Sequence, residues 1–290
     1  MHVSYIPIDA DLLRRLYVDQ RLTAEAIAAR LGCSPITVFR RLRRFGIPAR
    51  PRGPLHQART LGGDLAWLAG LAWAVGLIAT DGNLSGDGRH LSVVSKDRDV
   101  LETLRVCLNI RAAITSHPGG HGHSALRVQW GDRHFYDWLL SIGLTPAKSL
   151  TLRPLAVPDT VFPDFLRGCI DGDGSIITYI DRYNTFKKPT YVYTRLFVSL
   201  VSASPPFLEW IRATVQRLAG LAGHLTVKRA TLHSDLWCLR YAKRESLALL
   251  RWIYREPNAP CLGRKRKIAA EFLVPRTPSP RRGPGRPVVL

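Results

Sequence analysis

The chain has 290 residues, with 42 Lys and Arg against 22 Asp and Glu, a formal net charge of +20. Basic residues run along the whole length, which attracts polyanions and points first to nucleic acid; a ribosome-associated protein or one adapted to a basic proteome would carry the same charge. The five cysteines stand far apart with no Cys-x-x-Cys pair, which argues against a disulfide scaffold and for thiols in a reducing, cytoplasmic compartment. No signal peptide is expected at the N-terminus. The longest apolar run, Leu65–Ala79, is shorter than the ~20 residues of a bilayer span and suits a helix buried inside a protein. At this length one large or two to three small domains with a real core are expected.

In chain order, residues 9–45 are expected to be helical. Leu12, Leu13 and Leu16 form a first apolar stripe. Thr23 is placed to N-cap a helix with Ile27 and Leu31 inside, Gly32 to make a left-handed turn, and Ser34-Pro35 to start the next helix. In that helix Val38, Leu42 and Phe45 face inward, while Ile36, Thr37, Arg40, Arg41 and Arg44 lie largely outward. The segment resembles a helix-turn-helix of the resolvase or sigma-like kind, which implies a second helix docked in a DNA major groove through Thr37, Arg40, Arg41 and Arg44. The plainer alternative is a helical hairpin with a solvated basic face. Residues 1–47 are therefore assigned to an all-α DNA-binding domain and 48–62 to a basic Pro/Gly linker.

From residue 63 a pattern appears and recurs. Residues 74–82 read Ala-Val-Gly-Leu-Ile-Ala-Thr-Asp-Gly and residues 166–174 read Leu-Arg-Gly-Cys-Ile-Asp-Gly-Asp-Gly. Around each phrase the predicted order is helix-strand-strand-helix-strand-strand-helix. The first unit spans 63–154, with its leading helix ending at Asp81. The second spans 155–272, with its leading helix over Pro163–Asp173, strands near Ser175–Ile180 and Tyr191–Val201, and further strands near His224–Ala230 and Leu236–Tyr241. Matching order plus a matching phrase indicates an internal duplication. The expected fold is α+β: two pseudo-symmetric αββαββα units built on antiparallel sheets, behind an N-terminal all-α helix-turn-helix. The tail, 273–290, is basic and Pro/Arg-rich; Gly285-Arg286-Pro287 echoes the core of minor-groove-binding hooks over three residues only, and a simple basic tail is the preferred reading.

The phrase has a physical logic. Gly76 and Gly168 occupy the same place in the two copies, and a residue without a side chain lets two helices approach closely. Packed at a pseudo-twofold axis, the helices would bring Asp81 and Asp173 together. Two such carboxylates repel unless a cation sits between them. Mg²⁺, or Mn²⁺ in its place, suits a site of few carboxylates completed by waters and phosphate oxygens.

These two phrases, with Gly143-Leu-Thr-Pro-Ala-Lys-Ser149 and Val157-Pro158 between them, resemble the paired signature of single-chain LAGLIDADG homing endonucleases over residues 63–272. The resemblance implies a saddle of antiparallel strands over the major groove of a long double-stranded DNA site. It also implies hydrolysis of one phosphodiester on each strand by Mg-bound water, as serves intron mobility. It makes Asp81 and Asp173 the metal ligands and candidate catalytic groups. Lys148 is the lysine implied beside one scissile phosphate; Lys265, with Lys267 as the alternative, is implied beside the other. The lysines would steady transition-state charge, or serve only to bind backbone phosphate. The first copy departs from the pattern with Ala79 opposite Asp171 and with Thr80 at the seventh place.

Tyr179, Tyr183, Tyr191, Tyr193 and Arg195 fall on or between the first two strands of the second unit, where they could face DNA. His117, His121 and His123 have a spacing that could hold zinc, but they suit a hairpin tip near DNA better. The chain is expected to act as a monomer, an internal pseudo-dimer, with no membrane partner. Two other functions fit: a DNA-binding regulator without catalysis, and an RNA-binding intron maturase.

Overall fold

The computed structural model describes residues 8–20, 22–49, 65–118, 124–229 and 234–273. The linker from Arg50 on, His121, His123 and the tail beyond Leu273 lie outside them. The chain divides into two compact units, Met1–Asp64 and Leu65–Leu290. No helix among the described residues is long and apolar enough to cross a membrane.

In the first unit, Ala10–Arg14 (α1) continues as a π-helical turn, Arg15–Asp19. Two helices follow, Ala24–Leu31 (α2) and Pro35–Arg44 (α3). The caps fall where the sequence places them. Thr23 accepts from the Ala26 amide and Ser34 from the Thr37 amide, Gly32 is left-handed at φ 64°, and Pro35 opens α3. Leu13, Leu16, Ile27, Val38 and Leu42 form the core, joined by Tyr17 on the π-turn. Phe45 is only half-buried against it, while Ile36 is exposed.

The second unit contains the repeat. Its first half runs Ala69–Asp81 (α4), Gly82–Leu84 (β1), His90–Ser95 (β2), Arg98–Cys107 (α5), Ile114–Pro118 (β3), Ser124–Gly131 (β4) and Arg133–Ser141 (α6). The second half runs Phe162–Asp171 (α7), Gly174–Asp181 (β5), Tyr193–Ser202 (β6), Pro205–Ala219 (α8), His224–Lys228 (β7), Leu236–Tyr241 (β8) and Lys243–Ile253 (α9). Each half forms a four-stranded antiparallel sheet, in the orders β1-β2-β4-β3 and β5-β6-β8-β7. Equivalent residues start the two ladders, Gly82 opposite Val93 and Gly174 opposite Leu200. The fold is thus α+β with two like-ordered units, as the duplicated phrase indicates.

The cores explain the helix sequences. Every residue from Leu71 to Ala79 of α4 is buried, as is all of α7. A helix enclosed on all sides has no need of a polar stripe, which accounts for the unbroken apolar run. The one charged pair within α7 is internally satisfied: Arg167 donates to Asp164 at 2.7 Å and to the carbonyls of Pro260 and Ile253.

Two expectations are corrected and one helix is added. The helix read as Pro163–Asp173 stops at Asp171, because Gly172 leaves helical geometry at φ −74°, ψ −99°. Tyr191 precedes β6 instead of opening it, since its amide closes a turn onto the Lys188 carbonyl at 2.9 Å. A further helix, Gly263–Leu273 (α10), follows α9. Its apolar positions Ala269 and Phe272 sit behind the run Arg264-Lys265-Arg266-Lys267, which hides the helical period.

Candidate functional site

The contact between α4 and α7 is reciprocal to the atom. A Cβ on Gly76 would lie 2.1 Å from the Phe165 carbonyl oxygen and 2.9 Å from the Cys169 nitrogen. A Cβ on Gly168 would lie 2.0 Å from the Trp73 oxygen and 2.9 Å from the Leu77 nitrogen. These are equivalent positions of the two phrases, so a pseudo-twofold axis passes between the glycines. Only a bare Cα permits this approach. The symmetry breaks one turn further on. Gly172 leaves room for Thr80, whose Oγ1 sits 2.0 Å from where a Gly172 Cβ would be; that same Cβ would be 3.3 Å from the Asp81 carboxyl carbon. Thr80 Oγ1 donates back to the carbonyls of Gly76 and Leu77 at 3.2 and 3.0 Å.

Helix ends and the turns beside them bring Asp81, Asp173, Lys148 and Lys265 within electrostatic reach of one another. Asp81 is the last residue of α4, and Asp173 stands in the turn between α7 and β5. Burial, and then the nearby Asp173 carboxylate, push Asp81 from 3.8 to about 6, with Lys265 and Lys148 opposing. Burial likewise raises Asp173, opposed by Lys148 and Lys265. Both lysines are pulled down by burial; Lys148 is held up by Asp173 and Asp81, and Lys265 by Asp171 first. A carboxyl held above its ordinary range in this way keeps its proton to higher pH.

The lysines occupy matching places by different routes. Lys148, in the turn after α6, donates to the Gly82 carbonyl. Lys265, in the first turn of α10, donates to the Gly174 carbonyl at 2.7 Å, and Gly82 and Gly174 are equivalent. Lys267 is exposed, whereas Lys265 is buried. Their hydrogen bonding differs. Lys265 also reaches the carbonyls of Ile170, Asp171 and Gly172 at 2.5, 2.9 and 3.3 Å. It thereby caps the C-terminus of α7, where unpaired carbonyls and the helix dipole favour a cation.

Asp171 takes no part in the facing pair. It is 4% exposed and accepts from Trp73 Nε1 at 2.8 Å and from the Leu262 amide at 2.9 Å. It ties α7 to α4 and to the segment leading into α10. Burial raises its carboxyl to about 6. Its place in the phrase is that of Ala79, not the place the resemblance implies for the metal ligands Asp81 and Asp173.

The residues expected at DNA lie elsewhere. On α3, Arg40 and Arg44 are exposed, Arg41 and Thr37 are half-buried, and Thr37 Oγ1 lies 3.0 Å from Ser34 Oγ. In the second sheet Tyr193 is exposed, Arg195 bonds Asp181 at 2.8 Å, and the Tyr191 and Tyr193 rings are 6.1 Å apart. His117, on β3, is half-buried. The sequence reading missed an open depression of about 400 Å³ on the first sheet, lined by His90, Thr115, Arg127 and Gln129. The buried Nε of Arg127 has no hydrogen-bond partner among the described residues.

No protein-family model matches this chain, and no curated protein does. Among solved structures it is similar to full-length DUF199/WhiA from Thermatoga maritima, at 13% identity and a TM-score of 0.44, over 70% of this chain and 60% of that one. It is also similar to a point variant of I-SmaMI, at 12% identity and a TM-score of 0.47, over 70% of this chain and 91% of that one. A third is the I-LtrWI LAGLIDADG homing endonuclease bound to target DNA, at 11% identity and a TM-score of 0.45, over 70% and 89%. The chain thus spans about 60% of the length of the WhiA protein.

Proposed function

We propose that the chain is a metal-dependent endonuclease that hydrolyses both strands of a long duplex DNA site, one strand for each half of the repeat, within a single chain. The observation that carries this reading is the meeting of Asp81 and Asp173 across the glycine contact, with a buried lysine from each half beside them.

The donor set fits a hard divalent cation. Two partly buried carboxylates lie close enough to repel each other. Among the described residues no three His, Cys, Asp or Glu gather into a closed metal cage. Mg²⁺ accepts so few protein ligands because it keeps waters and takes phosphate oxygens. When bound by Asp81 and Asp173, such an ion supplies Lewis-acid stabilisation and a more acidic water. The protein's own groups do the rest. Asp81 and Asp173 would hold the cation at the axis, where a scissile phosphate oxygen would meet it. Lys148, with one main-chain acceptor, has hydrogens left to steady charge on a phosphate oxygen. Lys265 holds the turn that carries Asp173. Arg40, Arg41 and Arg44, with the outer sheet faces, neutralise backbone phosphate.

A DNA-binding regulator that does not cut is the second reading; in its favour, Lys265 is committed to four carbonyls. The test is to incubate the protein with genomic DNA from its source, with Mg²⁺ or with EDTA, and to map new ends. A few sharp Mg²⁺-dependent double-strand ends support the nuclease. Tight duplex binding without ends supports the regulator, and preference for structured RNA the maturase.

A further inference from the structure

The two sheets begin alike and then diverge. β1 has three residues and β5 has eight; β2 has six and β6 has ten. β8 pairs with β6 only over Val198–Ser202, so Tyr193–Phe197 pairs with β5 alone. The second half therefore carries a two-stranded ribbon with no counterpart in the first. The B-DNA major groove is wide enough for such a ribbon.

The chemistry of the ribbon differs from that of the first sheet. Opposite the buried Ile176, Leu196 and Val198, one face presents Ile177, Tyr179, Tyr193 and Phe197, with Ile177 and Tyr179 45% and 50% exposed. Tyr179 stacks on Phe197 at 6.3 Å. Two cations share this face: Arg195 is engaged by Asp181 and lies over the Tyr193 ring, and Arg240 of β8 lies over the Phe197 ring at 5.4 Å, leaving Ile177 and Tyr179 as the exposed apolar groups without a cation over them. The equivalent face of the first sheet presents the hydrogen-bonding groups Asn83, Ser92, Thr115, Arg127 and Gln129 around the aliphatic Val94. Arg182, Lys187 and Lys188 in the β5–β6 connection give the ribbon tip a positive charge that complements phosphate. Exposed Ile177 and Tyr179 side by side among such cations call for an apolar group on an anionic partner. In the major groove the apolar group is the thymine 5-methyl; every other base feature there is a donor or an acceptor.

We propose that this ribbon reads thymine methyl groups, so that the duplex site is lopsided: hydrogen-bond-read under the first half and thymine-rich under the second. This rests on the duplex-DNA reading above. The test is selection from a randomised duplex library by binding in EDTA, followed by remaking the winners with deoxyuridine for thymidine in one half at a time. Deoxyuridine keeps the pairing edge and lacks the methyl. The expected result is thymines clustered in one half, with about tenfold weaker binding when two contacted methyls there are removed and little change from the other half. The Ile177→Ser/Tyr179→Ser protein should bind thymidine and deoxyuridine duplexes alike, as tightly as the wild type binds the deoxyuridine form, which also shows that the variant folds. Strong duplex selection with no methyl dependence in either half overturns the proposal, as does a double variant that still discriminates. Failure to retain any duplex overturns the DNA reading itself, and this one with it.

Discussion

Replacing Gly76 by Ala sets two known effects against each other. In a helix interior Ala is favoured over Gly by about 1 kcal/mol. The new Cβ, however, would lie 2.1 Å from the Phe165 carbonyl oxygen. That obstacle is backbone in a helix buried along its whole length, so no rotamer change relieves it. Restoring ordinary contact requires α4 and α7 to part by about 1 Å, a gap that forfeits a quarter to a half of each dispersion contact across the seam. Overpacking of well-packed cores costs about 1–3 kcal/mol, and with backbone as the obstacle the upper end applies. The expected net effect is a destabilisation of about 2 kcal/mol, or some 4–8 °C in Tm for a unit of this size. Gly168→Ala should behave alike. The two clashes lie across one contact and are relieved by one movement, so the double variant should lose clearly less than the sum of the singles. Thermal unfolding followed by circular dichroism measures all three proteins. A single variant with unchanged or raised Tm, or a double variant that is simply additive, would refute the close helix approach as the organising contact.

Asp81→Asn and Asp173→Asn should each abolish double-strand cutting while leaving duplex binding largely intact, checked by plasmid linearisation beside gel shift. Lys265→Met should lower Tm more than Lys148→Met, because it strips four carbonyls at the end of α7 of their donor, at a cost of about 3 kcal/mol; equal Tm values would contradict the capping role. The raised Asp81 carboxyl gives a pH signature. Its folded form keeps a proton that the unfolded chain releases near 3.8, so in EDTA the native state loses stability from this group as pH rises from about 4 to about 6. The Tm of Asp81→Asn should therefore gain on the wild type over that interval, and Mn²⁺ at pH 7 should stabilise the wild type but not the variant. Arg40→Ala/Arg44→Ala should weaken duplex binding and flatten its salt dependence, read as the slope of affinity against ionic strength.

The local code of this chain is plain in its sequence. Thr23, Gly32 and Ser34-Pro35 specify their caps and turn through interactions spanning three or four residues, which is why those elements fall where expected. The repeated phrase fixes the pairing of Gly76 with Gly168 and the approach of Asp81 to Asp173, because a duplicated small-residue helix that must bury every face has its own copy as the natural partner. Other features depend on groups far apart in the chain. Lys265 rather than Lys267 binds the carbonyls around Asp173 because α10 turns that position onto the end of α7, and the basic run around it conceals the helix. Asp171 is a tie to Trp73 and Leu262 instead of part of the facing pair, since its orientation follows from where α7 ends at Gly172. The free ribbon of β5 and β6 exists because β8 stops pairing at Val198, a register that only the assembled sheet sets. Sequence by itself determined most of the elements, the duplication and which two aspartates come together; tertiary structure decided which lysine lies near them, what Asp171 ties together and which sheet face stands open to recognition.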